Sequence, residues 1–347
     1  MMASRSTWPA FVAAALLGSV LVYGASATLN DYLLSIVEFV GINIILAVSL
    51  NITNGFTGLF SLGHPAFMTI GGYVTAIMSL EPRRKPFLLP DLPAWLAAAH
   101  LPFLPALAVG GLAAALVAVV VGFPVLRLRG HYLAVATLGL IFIVQGLAIN
   151  LDGYTRGALG LNGLPELTNL WWVYGWMLLT LYVCWTLKHS SLGRTMLAIR
   201  ENELAAACLG VRITRTRILS FALGAFFAGV AGGLWAHLVT LITPSSFTFL
   251  FAFQLVVMVV LGGTGSITGA ALAGAVLTIA TEALHPVEEA VGLFGASQLL
   301  MAFAVLLVLV FRPKGLFGMA EPDLIAWIGK SPGRQATPSG SKRQREV

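Results

Sequence analysis

Charge is what this sequence has least of. Its 347 residues include 20 Lys or Arg and 14 Asp or Glu, 10% of the chain, where a soluble domain carries about a quarter. So few charges cannot coat a water-exposed surface. A soluble enzyme, a disordered chain and a nucleic-acid-binding domain are excluded. Cysteine is almost missing: Cys184 and Cys208 are alone and not in metal-type spacing, so a structural disulfide is not expected. No G-x-x-x-x-G-K-[ST], no H-E-x-x-H and no nucleophile elbow occurs. The chain therefore carries no Walker-type nucleotide site and no recognisable hydrolase centre. The expectation is no enzyme, no catalytic residue, no metal site and no cofactor on this chain. Any ATP-driven step would use ATP bound by other subunits.

Acidic residues inside apolar sequence are equally scarce. Glu38 and Glu282 are the two. A proton- or sodium-driven carrier usually shows several, since intramembrane charge marks ion coupling. Glu38 can equally bond a neighbouring helix. The histidines at 64, 100, 131, 189, 237 and 285 are scattered. His64 has no His, Cys or carboxylate three or four residues on, which argues for a capping or packing role over a metal ligand.

What is abundant is apolar sequence in long blocks. Hydrophobic residues make up 58% of the chain and mean hydropathy is +0.90. About 200 such residues, at roughly 20 per span, suffice for eight to ten transmembrane helices. Ten blocks can be drawn, at 11–27, 32–50, 64–80, 101–126, 132–150, 171–187, 216–238, 249–262, 268–284 and 293–311. The fold class is an all-α polytopic membrane protein of about ten helices. Blocks 249–262 and 268–284 are the weakest as full spans. The first could be a signal peptide, because Ala25-Ser26-Ala27 resembles a cleavage site, but its length favours a retained helix. The 37 glycines suit helices that pack closely in lipid.

Basic residues give the sidedness. With a cytoplasmic N-terminus and ten crossings, sixteen of the twenty Lys and Arg fall on the cytoplasmic side. Arg83, Arg84, Lys85 and Arg156 are the exceptions. Three regions follow: an N-terminal helix over 1–30, a transmembrane domain over 31–315 with a cytoplasmic loop at 188–217, and a basic, largely disordered tail over 316–347. Both termini are expected in the cytoplasm. The tail's charge can touch anionic headgroups.

Two places interrupt the apolar blocks with glycine and small polar residues. One is Asn51-Ile52-Thr53-Asn54-Gly55-Phe56-Thr57-Gly58-Leu59-Phe60-Ser61-Leu62-Gly63-His64-Pro65. The other is Gly262-Gly263-Thr264-Gly265-Ser266-Ile267-Thr268-Gly269. Irregular backbone survives at membrane depth only inside protein or beside a cavity. A pair of such segments, one in each half, points to the pathway of a transporter built from repeats. The bland alternative is a pair of tight turns that let helices pack. On the pathway reading, Asn51, Asn54, Thr57, Gly58, Ser61, His64, Gly262, Gly263, Gly265 and Ser266 face the path.

The loop at 188–217 holds good helix formers over 194–209 and charges of both signs, and Gly210 is placed to cap the helix end. A short amphipathic helix there suits docking into a groove on a partner protein or lying on the membrane surface.

Five stretches, in order, resemble the LivM-type permeases, membrane subunits of branched-chain amino acid ABC importers. They are Leu46 to Phe67, Phe123 to Gly139, Gly193 to Gly210, Ser220 to Gly232, and Val259 to Gly269. The resemblance covers about 30 to 315. It implies a helical importer fold with an internal repeat in a bacterial plasma (inner) membrane, surrounded by membrane lipid. It also implies a second, LivH-like permease, two cytoplasmic ATPase subunits and an extracytoplasmic substrate-binding protein, with no nucleic acid involved. On the same grounds Arg200, Glu201, Glu203, Ala205 and Gly210 would belong to the helix that couples to an ATPase, loosely resembling the EAA-type loop of other importers. The stretch Thr155 to Gly163 departs from the family pattern at Arg156 and at the extra Ala158-Leu159. The implied function is alternating-access import of branched-chain amino acids. Urea, a short amide or another small polar solute is the alternative within the family, and an ion-coupled carrier the alternative outside it.

Overall fold

The computed structural model of the protein describes residues 30–291, apart from 129, and scattered positions within 16–29 and 295–318. About half of block 11–27, most of block 293–311 and nearly all of the tail therefore lie outside the described residues. The other eight blocks are helices. α1 is Asp31–Asn51, extended by a π turn at Ile52–Phe56. α2 is His64–Ser79, α3 Phe103–Val125, α4 His131–Asn150 and α5 Leu170–His189. Two short helices follow, α6 at Ser191–Glu201 and α7 at Glu203–Cys208. α8 is Ile213–Val239, α9 Phe249–Gly262 and α10 Ile267–Val291.

Six of these helices are long and apolar enough to cross a membrane, among the described residues. The helices α2 and α9 fall short. Their 16 and 14 residues give about 24 and 21 Å at 1.5 Å per residue, less than the roughly 30 Å hydrocarbon core. Both short helices adjoin a glycine break. The breaks thus shorten the helices beside them.

The core sits where α8 crosses α2 and α3. Small residues decide how close they come. A Cβ at Gly71 would lie 2.2 Å from the Gly229 Cα, and one at Gly229 would lie 2.6 Å from the Ala114 Cβ. Without lipid-phase hydrophobic driving force, such close approach supplies the packing energy. Around this crossing Phe67, Phe221 and Phe227 are fully buried, with the Phe67 and Phe221 rings edge to face at 5.2 Å.

One end of the bundle collects the segments 80–102, 151–169 and 240–248. They are tied together by main chain: Leu161 pairs with Ile242 and Asn162 with Leu241 in a two-residue antiparallel ladder. The four basic residues that break the charge bias lie here. Lys85 is fully buried. Its ammonium donates to the carbonyl of Leu96 at 3.0 Å and to that of Ala99, and burial lowers its pKa. Arg84 donates to the Gly163 carbonyl at 2.8 Å, and Arg156 donates to the Asn162 side chain. Three of the four are thus engaged by their own loops.

The opposite end collects both breaks, the α3–α4 turn and the α5–α8 connection. Here the expected single helix over 194–209 is corrected to two. Asn202 is extended at φ −157° and its side chain accepts from the Ala205 N–H at 3.0 Å. An Asn that caps the next turn competes with helix continuation. Gly210, at φ +81°, ends α7 as expected, with Val211 donating back to the Ala206 carbonyl at 3.1 Å.

Candidate functional site

The first break is built by its own polar side chains. Thr53 and Thr57 bond back one turn, to the Leu50 carbonyl at 2.9 Å and the Thr53 carbonyl at 2.6 Å. Asn54 closes the loop across seven residues. Its amide donates to the Ser61 carbonyl at 3.2 Å and its oxygen accepts from the Ser61 N–H at 3.1 Å. Ser61 Oγ accepts from Gly63 N–H at 3.2 Å, and Thr137 of α4 accepts from Leu62 N–H at 3.0 Å. Pro65 follows in the first turn of α2, where a missing N–H costs nothing. His64 is buried with Nε2 3.3 Å from the Ser49 hydroxyl, while its Nδ1 has no partner.

The second break turns on Gly263 and Gly265, at φ +108° and +96°. Ser266 Oγ accepts from the Gly269 N–H at 3.1 Å. Gly262 and Gly269 touch backbone to backbone, since a Cβ on Gly262 would lie 2.3 Å from the Gly269 carbonyl oxygen. Carbonyls at the end of α9 are capped from a distant segment: Leu316 N–H donates to Leu261 at 2.8 Å and Phe317 N–H to Gly262 at 3.3 Å. The first residues assigned to the tail are therefore part of this site.

The two breaks meet. Asn51, fully buried, donates from Nδ2 to the Ser266 carbonyl at 2.8 Å and accepts from the Gly265 N–H at 2.9 Å. Two cations from the α5–α6 region span the same junction. Arg200 donates to the Gly55 carbonyl at 2.5 Å, to the Thr264 carbonyl at 3.3 Å and to the Thr264 hydroxyl at 3.3 Å. Its aliphatic stem covers Gly58, whose Cβ, if present, would lie 3.1 Å from the Arg200 Cγ. Lys188 donates to the Gly265 carbonyl at 2.6 Å and lies 5.8 Å from the Phe56 ring centroid.

Of the ten pathway residues expected from sequence, Asn51, Thr57, Ser61, His64, Gly262, Gly263, Gly265 and Ser266 are buried, Asn54 is half-buried and Gly58 is exposed. The five coupling residues divide. Arg200 turns inward onto both breaks. Glu203 pairs with Arg217 of α8 at 2.9 Å. Glu201 and Ala205 are exposed, and Gly210 caps α7. The sequence reading missed Lys188 and Arg217 as parts of the site, and read Asn202 as part of one coupling helix rather than as the cap that divides it. A lysine at the end of an apolar block reads as a sidedness charge, and nothing local marks it as a bridge. Two apolar side chains of this connection stand out in the open, Leu204 at 76% and Leu209 at 83% exposure. Beside them lies a groove of about 470 Å³ lined by Ser191, Thr195, Gly210, Arg212 and Arg215 among others.

Several apolar spans around a pair of glycine-broken helices define a class, the polytopic helical membrane transport subunits. The family model described as "Branched-chain amino acid transport system / permease component" matches residues 32–311, and the chain belongs to that family. It is similar to the high-affinity branched-chain amino acid transport system permease protein LivM of Salmonella typhimurium, 32% identical over 332 residues, covering 85% of this chain and 72% of the relative. The LivM of Escherichia coli K12 is similar to the same extent. The LivH permease of Escherichia coli K12 is 31% identical over 207 residues, 52% of this chain and 64% of the relative. No solved structure matches.

Proposed function

We propose that this chain is the LivM-type permease subunit of an ATP-driven importer in a bacterial inner membrane. With a LivH-like permease it forms the path for branched-chain amino acids. Two cytoplasmic ATPases drive it, and an extracytoplasmic binding protein delivers the substrate. ATP binds the ATPases and not this chain. The helices α1–α2 and α9–α10 are the broken members of an internal repeat. Blocks 11–27 and 293–311 complete about ten crossings, with both termini cytoplasmic.

The observation that carries this reading is the Asn51 clasp. It joins the two broken helices at the bundle end where most of the described basic residues lie. An amino acid zwitterion is costly to move through hydrocarbon. Helix termini at a break offer N–H groups to its carboxylate and carbonyls to its ammonium without fixed charge. In this arrangement the clasp bonds those groups internally, which closes the path at this end. Opening it by alternating access frees them.

The docking point for an ATPase is α7. Leu204 and Leu209 present apolar surface to water, as a short helix seated in a partner's groove does. Glu203 is held internally and orients α7 on α8 through Arg217. The test is copurification of ATPases with the intact permease pair from gently solubilised membranes, followed by leucine uptake in proteoliposomes. Leu204→Glu with Leu209→Glu should lose the ATPases while the permease stays inserted. Absence of ATPases from the parental complex sinks the importer reading. Uptake of urea with exclusion of leucine sinks the substrate.

A further inference from the structure

The two breaks converge with their helix C-termini together. The α1 helix, with its π turn, ends at Phe56, and α9 ends at Gly262. A helix C-terminus presents up to four unbonded carbonyls and about half a negative charge. Two such ends brought into contact repel each other. Asn51 alone adds neutral hydrogen bonds across the junction and no countercharge.

Arg200 supplies countercharge to both breaks, where Lys188 donates only to the second. Its guanidinium donates to Gly55 on one terminus and to Thr264 beside the other. Among the described residues no carboxylate is paired with it. It also sits in the last turn of α6, two residues before the Asn202 corner that starts α7. The fork of donors in arginine suits bridging of this kind, where a lysine gives only a point charge.

We infer that Arg200 is a positioning residue of transport, which passes the placement of α7 to the two broken helices. This rests on the importer reading above and assigns Arg200 a different job from touching an ATPase. When α7 is held as described, Arg200 is seated and the junction is closed. When a partner draws α7 away, the guanidinium leaves. The junction then keeps Asn51 and Lys188 but loses the one of these groups that brings positive charge to both breaks, so the repulsion between the two C-termini rises. Returning α7 reseats the arginine.

The experiment uses the reconstituted importer, with both permeases, the ATPases and the binding protein. It compares the parental chain with Arg200→Gln and Arg200→Lys. Three quantities are read: ATPase copurification, ATP hydrolysis with and without substrate-loaded binding protein, and substrate uptake. The charged hydrogen bonds of Arg200 are strong enough that losing them should reduce uptake about tenfold or more. In Arg200→Gln the ATPases should copurify at the parental level. Basal hydrolysis should persist, and its stimulation by loaded binding protein should be lost. Arg200→Lys, which keeps charge and loses the fork, should recover part of the stimulation. A purely structural role would lower the amount of complex and leave stimulation per complex unchanged, which would overturn the inference. Loss of the ATPases from Arg200→Gln would also overturn it, by making Arg200 a docking contact. If Arg200→Gln fails to insert, Arg200→Lys is read in the same assays, and parental stimulation there overturns the inference. Parental complexes without ATPases would count against the importer reading itself and are seen before any variant is compared.

Discussion

Asn51 and Gly265 are 214 positions apart, and the Gly265 N–H donates to the Asn51 side-chain oxygen at 2.9 Å. The same side chain donates to Ser266 next door. One buried amide thus satisfies a donor and an acceptor on a distant loop. Replacing it by leucine, of similar bulk, removes the bond that the Gly265 N–H makes and leaves the Ser266 carbonyl with the Ala270 N–H at 3.2 Å. A buried N–H that loses its acceptor costs about 1–3 kcal/mol. Asn51→Leu should lower the thermal stability of the detergent-solubilised protein and abolish uptake. A variant with parental melting and transport would show that the two breaks hold together without the clasp.

Gly263 and Gly58 test whether the breaks serve the path. Gly263 sits at φ +108° with the Gly318 backbone 2.6 Å from where a Cβ would be, and Gly58 at φ +69° lies under Arg200. A side chain at positive φ costs about 1–2 kcal/mol before any clash. Gly263→Leu and Gly58→Leu should each reduce uptake severely. Normal assembly together with parental uptake in both variants would remove the pathway assignment.

The α2–α8 crossing depends on two glycines face to face. Gly71→Ala would place its Cβ 2.2 Å from the Gly229 Cα. Backbone cannot swing aside as a flexible side chain can, so the helices must separate, with a loss of roughly 1–3 kcal/mol. Gly139, in α4, is the control: a Cβ there meets nothing within 4 Å. Its change to alanine should be neutral or slightly stabilising. Thermal melting of the two variants side by side decides the point, and equal melting temperatures would contradict it.

Glu203 and Arg217 form a two-bond pair, Nη1 to Oε1 at 3.3 Å and Nη2 to Oε2 at 2.9 Å. Glu203 is 31% exposed and Arg217 14%, so solvent screens the pair in part. The coupling energy should be about 1 kcal/mol. A double-mutant cycle with Glu203→Gln and Arg217→Gln measures it. Because the pair holds α7 on α8, either single variant should also weaken ATPase copurification. A coupling energy of zero would mean that α7 is held by packing alone.

Much of this protein was legible in the sequence. Apolar blocks of 17 or more residues have few structures open to them besides spanning helices, and eight of the ten blocks, the 14-residue 249–262 included, are helices at nearly the expected bounds. The breaks at 51–65 and 262–269 showed because glycine and small polar residues are costly inside a helix unless the chain turns there. Five ordered stretches were enough to suggest the family. The loop at 188–217 was read less well, because the capping strength of Asn202 was not weighed against the helix formers on either side.

The sequence alone determined that the chain lies in a membrane, where its helices run and where two of them break. Only the tertiary structure decided that the breaks meet, that Arg200 and Lys188 bridge them, and that Lys85 is buried inside its own loop. The reason is physical. A helix that is apolar all round carries no stripe to say which face meets protein and which meets lipid. A lone cation in such a sequence reads only as a mark of sidedness. The same charge bonds to a helix C-terminus once packing brings that terminus within reach, and which termini converge is set by contacts between residues two hundred positions apart.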